Sequence, residues 1–428
     1  MFVRPTPSIL AVWACLLSLT VTMAMASDWP QWRGPNRDGK SAETGLIKNW
    51  DKTPPKHLWT IDGMGEGYAS VSISKGSLYT TGNVADGQAI IKVNLADHTV
   101  AWTKVVTEGG KPKHGYDGSR CTPTVDGDFL YAVTSDGRIT CLKAADGEVV
   151  WTKAFKEWGG KMHSGWGFSE SPLVDGDLVL CTPGGSEAMI VALNKKTGAE
   201  VWKSAVPKVG DKGGDGAGYS SIVIGNGGGV KQYVTLVGRG VIGVRASDGK
   251  YLWGYNRVAN GTANIPTPVT DGDYVFASSG YQTGSCLLKL SSDGDGVKAE
   301  EVYFLDGKTF QNHHGGFILA NGFIYSGAKH DNGFPICVEL KTGEVKWGGE
   351  IHGEGKGSAG VTMADGQIIF RYQDGKLALV NATPSGYELH GTFKPAYQEG
   401  NSWSHPVVSD GKLYLREQNK LMCYDLHE

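Results

Sequence analysis

The chain has 428 residues, with 41 Lys and Arg against 44 Asp and Glu for a formal net charge of -3, and no block of basic residues. That balance argues against nucleic acid or an acidic membrane as the partner. Glycine, at 63 residues, stands at about twice its ordinary share, which points to a turn-rich all-β chain.

Residues 1–26 read as an export signal: Arg4, an apolar stretch from Ile9 to Val21, then Ala24-Met25-Ala26 before Ser27. The apolar run is too short for a transmembrane anchor. The mature protein is therefore expected to be periplasmic or secreted, without an integral membrane segment. Cys15 has bulky Trp13 nearby, which speaks against a lipid-attachment box. Residues 27–56 read as an extended leader, and 57–428 as one domain.

Along that domain one phrase recurs, a tight turn followed by an apolar run to an aromatic. It stands at Asp97 to Trp102, Asp146 to Trp151, Thr197 to Trp202, Asp248 to Trp253 and Thr342 to Trp347, and in worn form at Asp293 to Phe304 and Ser385 to Phe393. The spacing of about 43 to 51 residues is that of a four-stranded propeller blade. In the second unit the strands, lettered A to D from the axis outward, fall at about 122–125, 129–133, 138–143 and 148–153. The A-to-B turns Lys75-Gly76, Asp126-Gly127, Asp175-Gly176, Asp271-Gly272, Asn321-Gly322, Asp365-Gly366 and Asp410-Gly411 supply the positive φ of primed hairpins.

Eight A strands are expected, beginning near Ser70, Thr122, Ser171, Ser220, Thr267, Gly316, Gly360 and His405. The last unit ends without a D strand, while residues 57–61, containing Trp59, form a D strand with no unit before it. Pairing the two closes an eight-bladed β-propeller and removes its open edge. Cys141, Cys337 and Cys423 hold one position in the third strands of different blades and Cys286 a similar one, too far apart to bridge. Cys121 and Cys181 are the one pair in question. The run Asp293-Gly294-Asp295-Gly296 has Val297 where a calcium loop needs oxygen and reads as an enlarged turn.

With the A-to-B and C-to-D turns on one face, the D-to-A and B-to-C connections share the other. The D-to-A connections hold, within them or at the strand start that follows, His114, His163, His313, His314, His352 and His405. Two residues before each strand start lie Tyr68, Arg120, Ser169, Gly218, Ile265, His314, Ser358 and Trp403, on one face of the strand by its period of two. Polar and aromatic groups gathered at a funnel mouth are costly without partners or a ligand. Arg120, His314 and His405 are the candidate catalytic groups, and Tyr68, Glu170 and Trp403 the candidates for holding a cofactor. A structural reading stands beside each: an Arg120–Glu170 ion pair, hydrogen-bonded core histidines, Trp403 as packing. No metal site is expected, because His313 and His314, adjacent on a strand, would point to opposite faces.

The turn-to-Trp repeat resembles the tryptophan-docking repeat of pyrroloquinoline-quinone-type eight-bladed propellers, over essentially the whole mature chain. Trp29-Pro30-Gln31-Trp32-Arg33-Gly34-Pro35 resembles the leader of exported members. That family holds quinoprotein alcohol dehydrogenases and the non-catalytic propeller subunit of the outer-membrane protein assembly machinery. The resemblance implies pyrroloquinoline quinone with calcium as cofactor, or an envelope protein as partner. There is no adjacent Cys-Cys pair and no Cys-x-x-Cys-His haem motif, and the family's calcium ligands and catalytic carboxylate have no match here. Three functions stay open: a small-molecule site of quinoprotein type, with or without oxidoreductase activity; a scaffold; and a carbohydrate-binding or carbohydrate-active propeller with Tyr116, Trp158, Trp166 and Trp403 as stacking platforms.

Overall fold

The computed structural model describes residues 1–2 and 28–428, so most of the segment read as an export signal lies outside the described residues. Its strands form eight sheets, each with four antiparallel strands A to D in order, and the sheet of blade 7 gains a fifth, parallel strand, Lys40–Ser41. Blades 1 to 7 span residues 72–105, 124–154, 173–204, 223–255, 269–306, 317–348 and 359–393. Blade 8 joins Val407–Ser409, Lys412–Glu417 and Lys420–Asp425 to Lys56–Asp62, which pairs with Lys420–Asp425 as its D strand. The ring is closed by the Trp59 strand as expected. Among the described residues the only helices are two short 3-10 turns, and no helix is long and apolar enough to cross a membrane.

The core sits between blades, because each sheet buries both faces of its inner strands. One cluster joins Ile90 of blade 1, Leu130, Ile139 and Leu142 of blade 2, and Val179 and Val191 of blade 3. The closing aromatics extend this packing to the rim. Trp102, Trp151 and Trp202 lie over Gly147, Gly198 and Gly249 in the C-to-D turn of the next blade, and Tyr303 lies over Gly343. Indole N–H groups fix the overlap: Trp102 donates to the Ala145 carbonyl at 3.2 Å, Trp151 to Lys195 at 3.1 Å and Trp347 to Thr383 at 2.7 Å. Trp59 repeats the contact across the closure, stacked 4.7 Å from His98, whose φ of 59° occupies the left-handed position that glycine fills elsewhere. In blade 5 the docking residue is Tyr303, whose hydroxyl donates to the Leu340 carbonyl at 2.7 Å; Phe304 instead lies 4.0 Å beneath Arg257.

Other local readings shift by a residue. Lys75-Gly76, Asn321-Gly322, Asp365-Gly366 and Asp410-Gly411 are turns with both residues left-handed. In blades 2, 3 and 5 the aspartate is the last residue of strand A, and the turn is Gly127-Asp128, Gly176-Asp177 or Gly272-Asp273. There glycine alone carries the positive φ, at the first turn position. Asp293 pairs with Gly296, so that turn is tight and it is the hairpin that is long. Cys121, Cys141, Cys181, Cys286, Cys337 and Cys423 are all free and buried. Cys141, Cys337, Cys423 and Cys286 face Trp151, Trp347, Trp59 and Phe304 across the C and D strands, where a small apolar side chain leaves room for the ring.

A Cβ on Gly198 would stand 2.7 Å from the Trp151 indole, at a φ of 71°. Gly198→Ala should therefore lower stability by about 1–3 kcal/mol, read as a fall of several degrees in Tm. Gly261→Ala, in open space, should leave Tm unchanged.

Candidate functional site

Around the axis the strand starts are linked by hydroxyls. The Ser70 N–H donates to Thr122 Oγ1 (3.1 Å), Thr122 to Ser171 Oγ (3.0 Å), Ser171 to Ser221 Oγ (3.0 Å) and Ser221 to Thr267 Oγ1 (3.2 Å). The small residues of this ring thus satisfy backbone donors of neighbouring blades. The fourth member is Ser221, one residue beyond the expected Ser220, so Tyr219 rather than Gly218 faces the mouth. At Gly316 and Gly360 the ring lacks hydroxyls, and the rings of His405 and the guanidinium of Arg33 take the space.

Arg33 comes from the leader, which occupies the central channel. Asp28 accepts from Ser74 Oγ and the Lys75 N–H at the A-to-B turn of blade 1. Pro30 accepts from the Val125 N–H, and Arg37 donates to the Ser171 and Pro172 carbonyls of blade 3. The chain then turns back, and Lys40–Ser41 pairs in parallel with the A strand of blade 7. Glu43 accepts from the Asp410 and Gly411 N–H groups of blade 8. The leader thus enters from the face of A-to-B turns and loops inside, with Trp32 and Arg33 reaching the opposite mouth.

Above them lies a cavity of about 340 Å³. Of the six predicted site residues Tyr68, Arg120, His314, Trp403 and His405 line it, and Glu170 does not. Trp403 sits at the centre of the aromatic wall, 4.7 Å from Tyr68, 4.9 Å from Tyr116 and 5.0 Å from His314, its indole N–H on Gln373 Oε1 at 2.8 Å. Arg120 lies 5.7 Å over the Tyr68 ring and donates to the carbonyls of Gly115 (2.8 Å), Tyr116 (2.6 Å) and Gly118 (3.3 Å). It makes no pair with Glu170. That carboxyl turns inward and accepts from the Thr182 N–H at 2.6 Å and Thr182 Oγ1 at 2.9 Å. His405 has both nitrogens engaged, Nε2 on the His314 carbonyl at 3.2 Å and Nδ1 against Arg33 Nη1 at 3.4 Å, which leaves no free proton or lone pair for acid–base work. Of the proposed stacking platforms, Trp158 is also remote and donates to Glu200 at 2.7 Å.

The cavity is completed by groups that the strand-start alignment overlooked. Trp32 and Arg33 come from the leader, and Tyr281, His330, Asp331 and Gln373 from the B-to-C connections. His313 and His314 lie in a bend rather than on a strand, so both rings face the cavity, 4.4 Å apart. His313 connects Tyr281 Oη (3.2 Å) to Ser358 Oγ (2.8 Å), with Asp331 at 3.5 Å. The His330 ring lies tilted by 40° against His313, with centroids 4.1 Å apart. Despite these neighbours, no three His, Cys, Asp or Glu groups among the described residues converge to hold a metal.

Burial sets the charges. It pushes His405 down to about 3 and His314 well below the ordinary histidine value, so both rings are neutral. It lowers Arg33 and Arg37 only to about 10, leaving them cationic. Burial also raises Glu170 from 4.5 to about 8. The folded protein therefore holds a proton that the unfolded chain has already released, and stability contributed at low pH is lost as pH rises toward 8. Glu170→Gln keeps an acceptor for Thr182 without the titration. Its Tm relative to the parent should climb by several degrees between pH 5 and pH 8.5, and a constant difference would contradict the buried carboxyl.

Against known proteins, a family model described as outer membrane protein assembly factor BamB matches residues 111–349. No curated protein matches the chain. Solved structures share its fold at low identity. BamB from Moraxella catarrhalis is 13% identical with a TM-score of 0.61, over 87% of this chain and 100% of that one. A quinohemoprotein alcohol dehydrogenase from Comamonas testosteroni is 11% identical with a TM-score of 0.63, over 93% and 80%. A europium-containing methanol dehydrogenase is 13% identical at 0.61, over 91% and 89%. Since the family model spans more than half of the chain and the eight-bladed architecture agrees, the chain belongs to the pyrroloquinoline-quinone-repeat propeller family that includes outer membrane protein assembly factor BamB.

Proposed function

We propose that this is an exported propeller, periplasmic or secreted, that binds a small ring-shaped molecule at the mouth of its axial funnel. The observation that carries the reading is a floored cavity of about 340 Å³ walled by Tyr68, Tyr116, Trp166, Tyr219, Tyr281 and Trp403. Six aromatic side chains from separate connections leave flat apolar faces in one concave site, the arrangement that small-molecule pockets favour.

The quinone of the family's dehydrogenases fits this lining in part. The aromatic faces suit a planar ring, and Arg33 and Arg120 suit carboxylates; when bound, such a quinone supplies a two-electron acceptor. Its calcium does not fit. Calcium takes six to eight oxygen ligands, whereas the lining has one carboxylate, Asp331, already engaged by Ser358 and His313. No reaction step is assigned through calcium. A sugar ring would use the same aromatic faces.

A second reading, a scaffold with an envelope-protein partner, is favoured by the family and by Val149, Val150 and Val201, exposed on the outer strands of adjacent blades. It leaves the aromatic mouth without a use.

Titration with pyrroloquinoline quinone without calcium, and separately with neutral and acidic sugars, should quench tryptophan fluorescence. Trp403→Ala should raise the Kd about tenfold, or about 1.4 kcal/mol, with little change in Tm. Absence of binding across both panels would overturn the small-molecule reading and leave the scaffold.

A further inference from the structure

Resting on the reading of the mouth as a ligand site, we propose that the ligand carries a carboxylate and that the leader, through Arg33, supplies the group that binds it. The binding site is then complete only when the leader fills the channel.

Arg33 carries a buried charge that no anion touches, with Asp38 acting on it only through space. Arg33 is 5% exposed and donates to the Phe317 carbonyl, to the Asp38 carbonyl at 3.2 Å and toward His405 Nδ1 at 3.4 Å. None of these is an anion. The nearest acid along the leader, Asp38, has its carboxylate on Lys40 at 3.1 Å. A buried guanidinium held only by neutral acceptors is costly, and this one lines the cavity.

The backbone is bent to place it there. Arg33 has a φ of 59° and Gly34 of 82°, so a bulky side chain is held left-handed, a cost that commonly marks functional sites. The opposite wall is cut back to match. A Cβ on Gly316 would stand 2.6 Å from Arg33 Nη1, so the small strand start of blade 6 admits the guanidinium.

The rest of the lining has the same polarity. Arg120 bonds only to carbonyls, and the one lining carboxylate, Asp331, is engaged by Ser358 and His313. Two guanidiniums therefore line the cavity with no free anion between them; each has committed Nη2 to two carbonyls, and a charge-assisted bond from a remaining N–H suits a carboxylate. Trp32 beside Arg33 gives the floor an aromatic face, and its indole N–H is buried without a partner. Ring-shaped carboxylates of two origins share this chemistry, aromatic acids and acidic sugars.

The test compares each acid with its neutral counterpart on the mature chain: pyrroloquinoline quinone with its trimethyl ester, and glucuronate with glucose. The parent protein should bind one acid at least about tenfold more tightly than its neutral partner, and the preferred pair names the source. Arg33→Gln should bring that ratio near one. Arg33→Lys, which keeps a cation and a donor for the Phe317 carbonyl, should weaken the acid about tenfold and spare the neutral compound. Melting temperatures report whether each variant is folded. If the parent binds acid and neutral forms equally, or a folded Arg33 variant keeps the full preference, the carboxylate anchor is wrong while the small-molecule site stands. If nothing binds the parent, both fall.

Discussion

Six of the eight blades reach the next through a closing aromatic laid over its C-to-D turn, namely Trp102, Trp151, Trp202, Tyr303, Trp347 and Trp59, whereas Trp253 bonds to Gln232 of its own blade and Phe393 packs on Trp50 and Tyr424. A single sheet of this kind cannot bury both faces alone, and stacking around an axis is what makes a core. The turn must approach the ring closely, which is why glycine or a left-handed His98 stands there. Because the contact is heterologous, it propagates around the ring and needs a closure, and the Trp59 strand provides it by completing blade 8. An annulus held at its rim then leaves the axis to be filled by other means.

The axis is filled in two layers. Hydroxyls from Thr122, Ser171, Ser221 and Thr267 satisfy backbone donors across blades, and where Gly316 and Gly360 break that series the leader's Arg33 and the His405 ring take over. The leader therefore turns an open channel into a funnel with a floor. Glu170 lies near Arg37 below the mouth, so this buried carboxyl belongs with the plug and not with the cavity.

The repeat was legible because glycine turns and closing aromatics are local signals, and so were the number of blades and the closing strand. Local slips were physical ones. Glycine at the first turn position moves a hairpin by one residue without changing which residues are present, and Ser220 beside Ser221 offered two hydroxyls for one place. Five of the six proposed residues could be placed at the cavity from the strand starts, since equivalent positions in different blades must meet at the axis. What could not be read came from elements with no repeat: the leader, whose Trp32 and Arg33 lie far from any strand start, and the B-to-C connections with Tyr281, His330 and Asp331. Glu170 was misplaced because adjacency to a ring residue says nothing about which way a carboxylate turns. His313 and His314 share a face because the chain bends there, which no strand period anticipates.

The central claim is that leader and connections from many blades form one ligand site. Hydrogen exchange of the protein with and without pyrroloquinoline quinone, or the acidic sugar that proves tighter, tests it most directly. Protection should rise together at residues 31–34, 113–120, 311–316, 329–332 and 401–405, segments far apart in sequence that meet at the cavity. Protection confined to the outer strands carrying Val149, Val150 and Val201, or none at any segment, would contradict it.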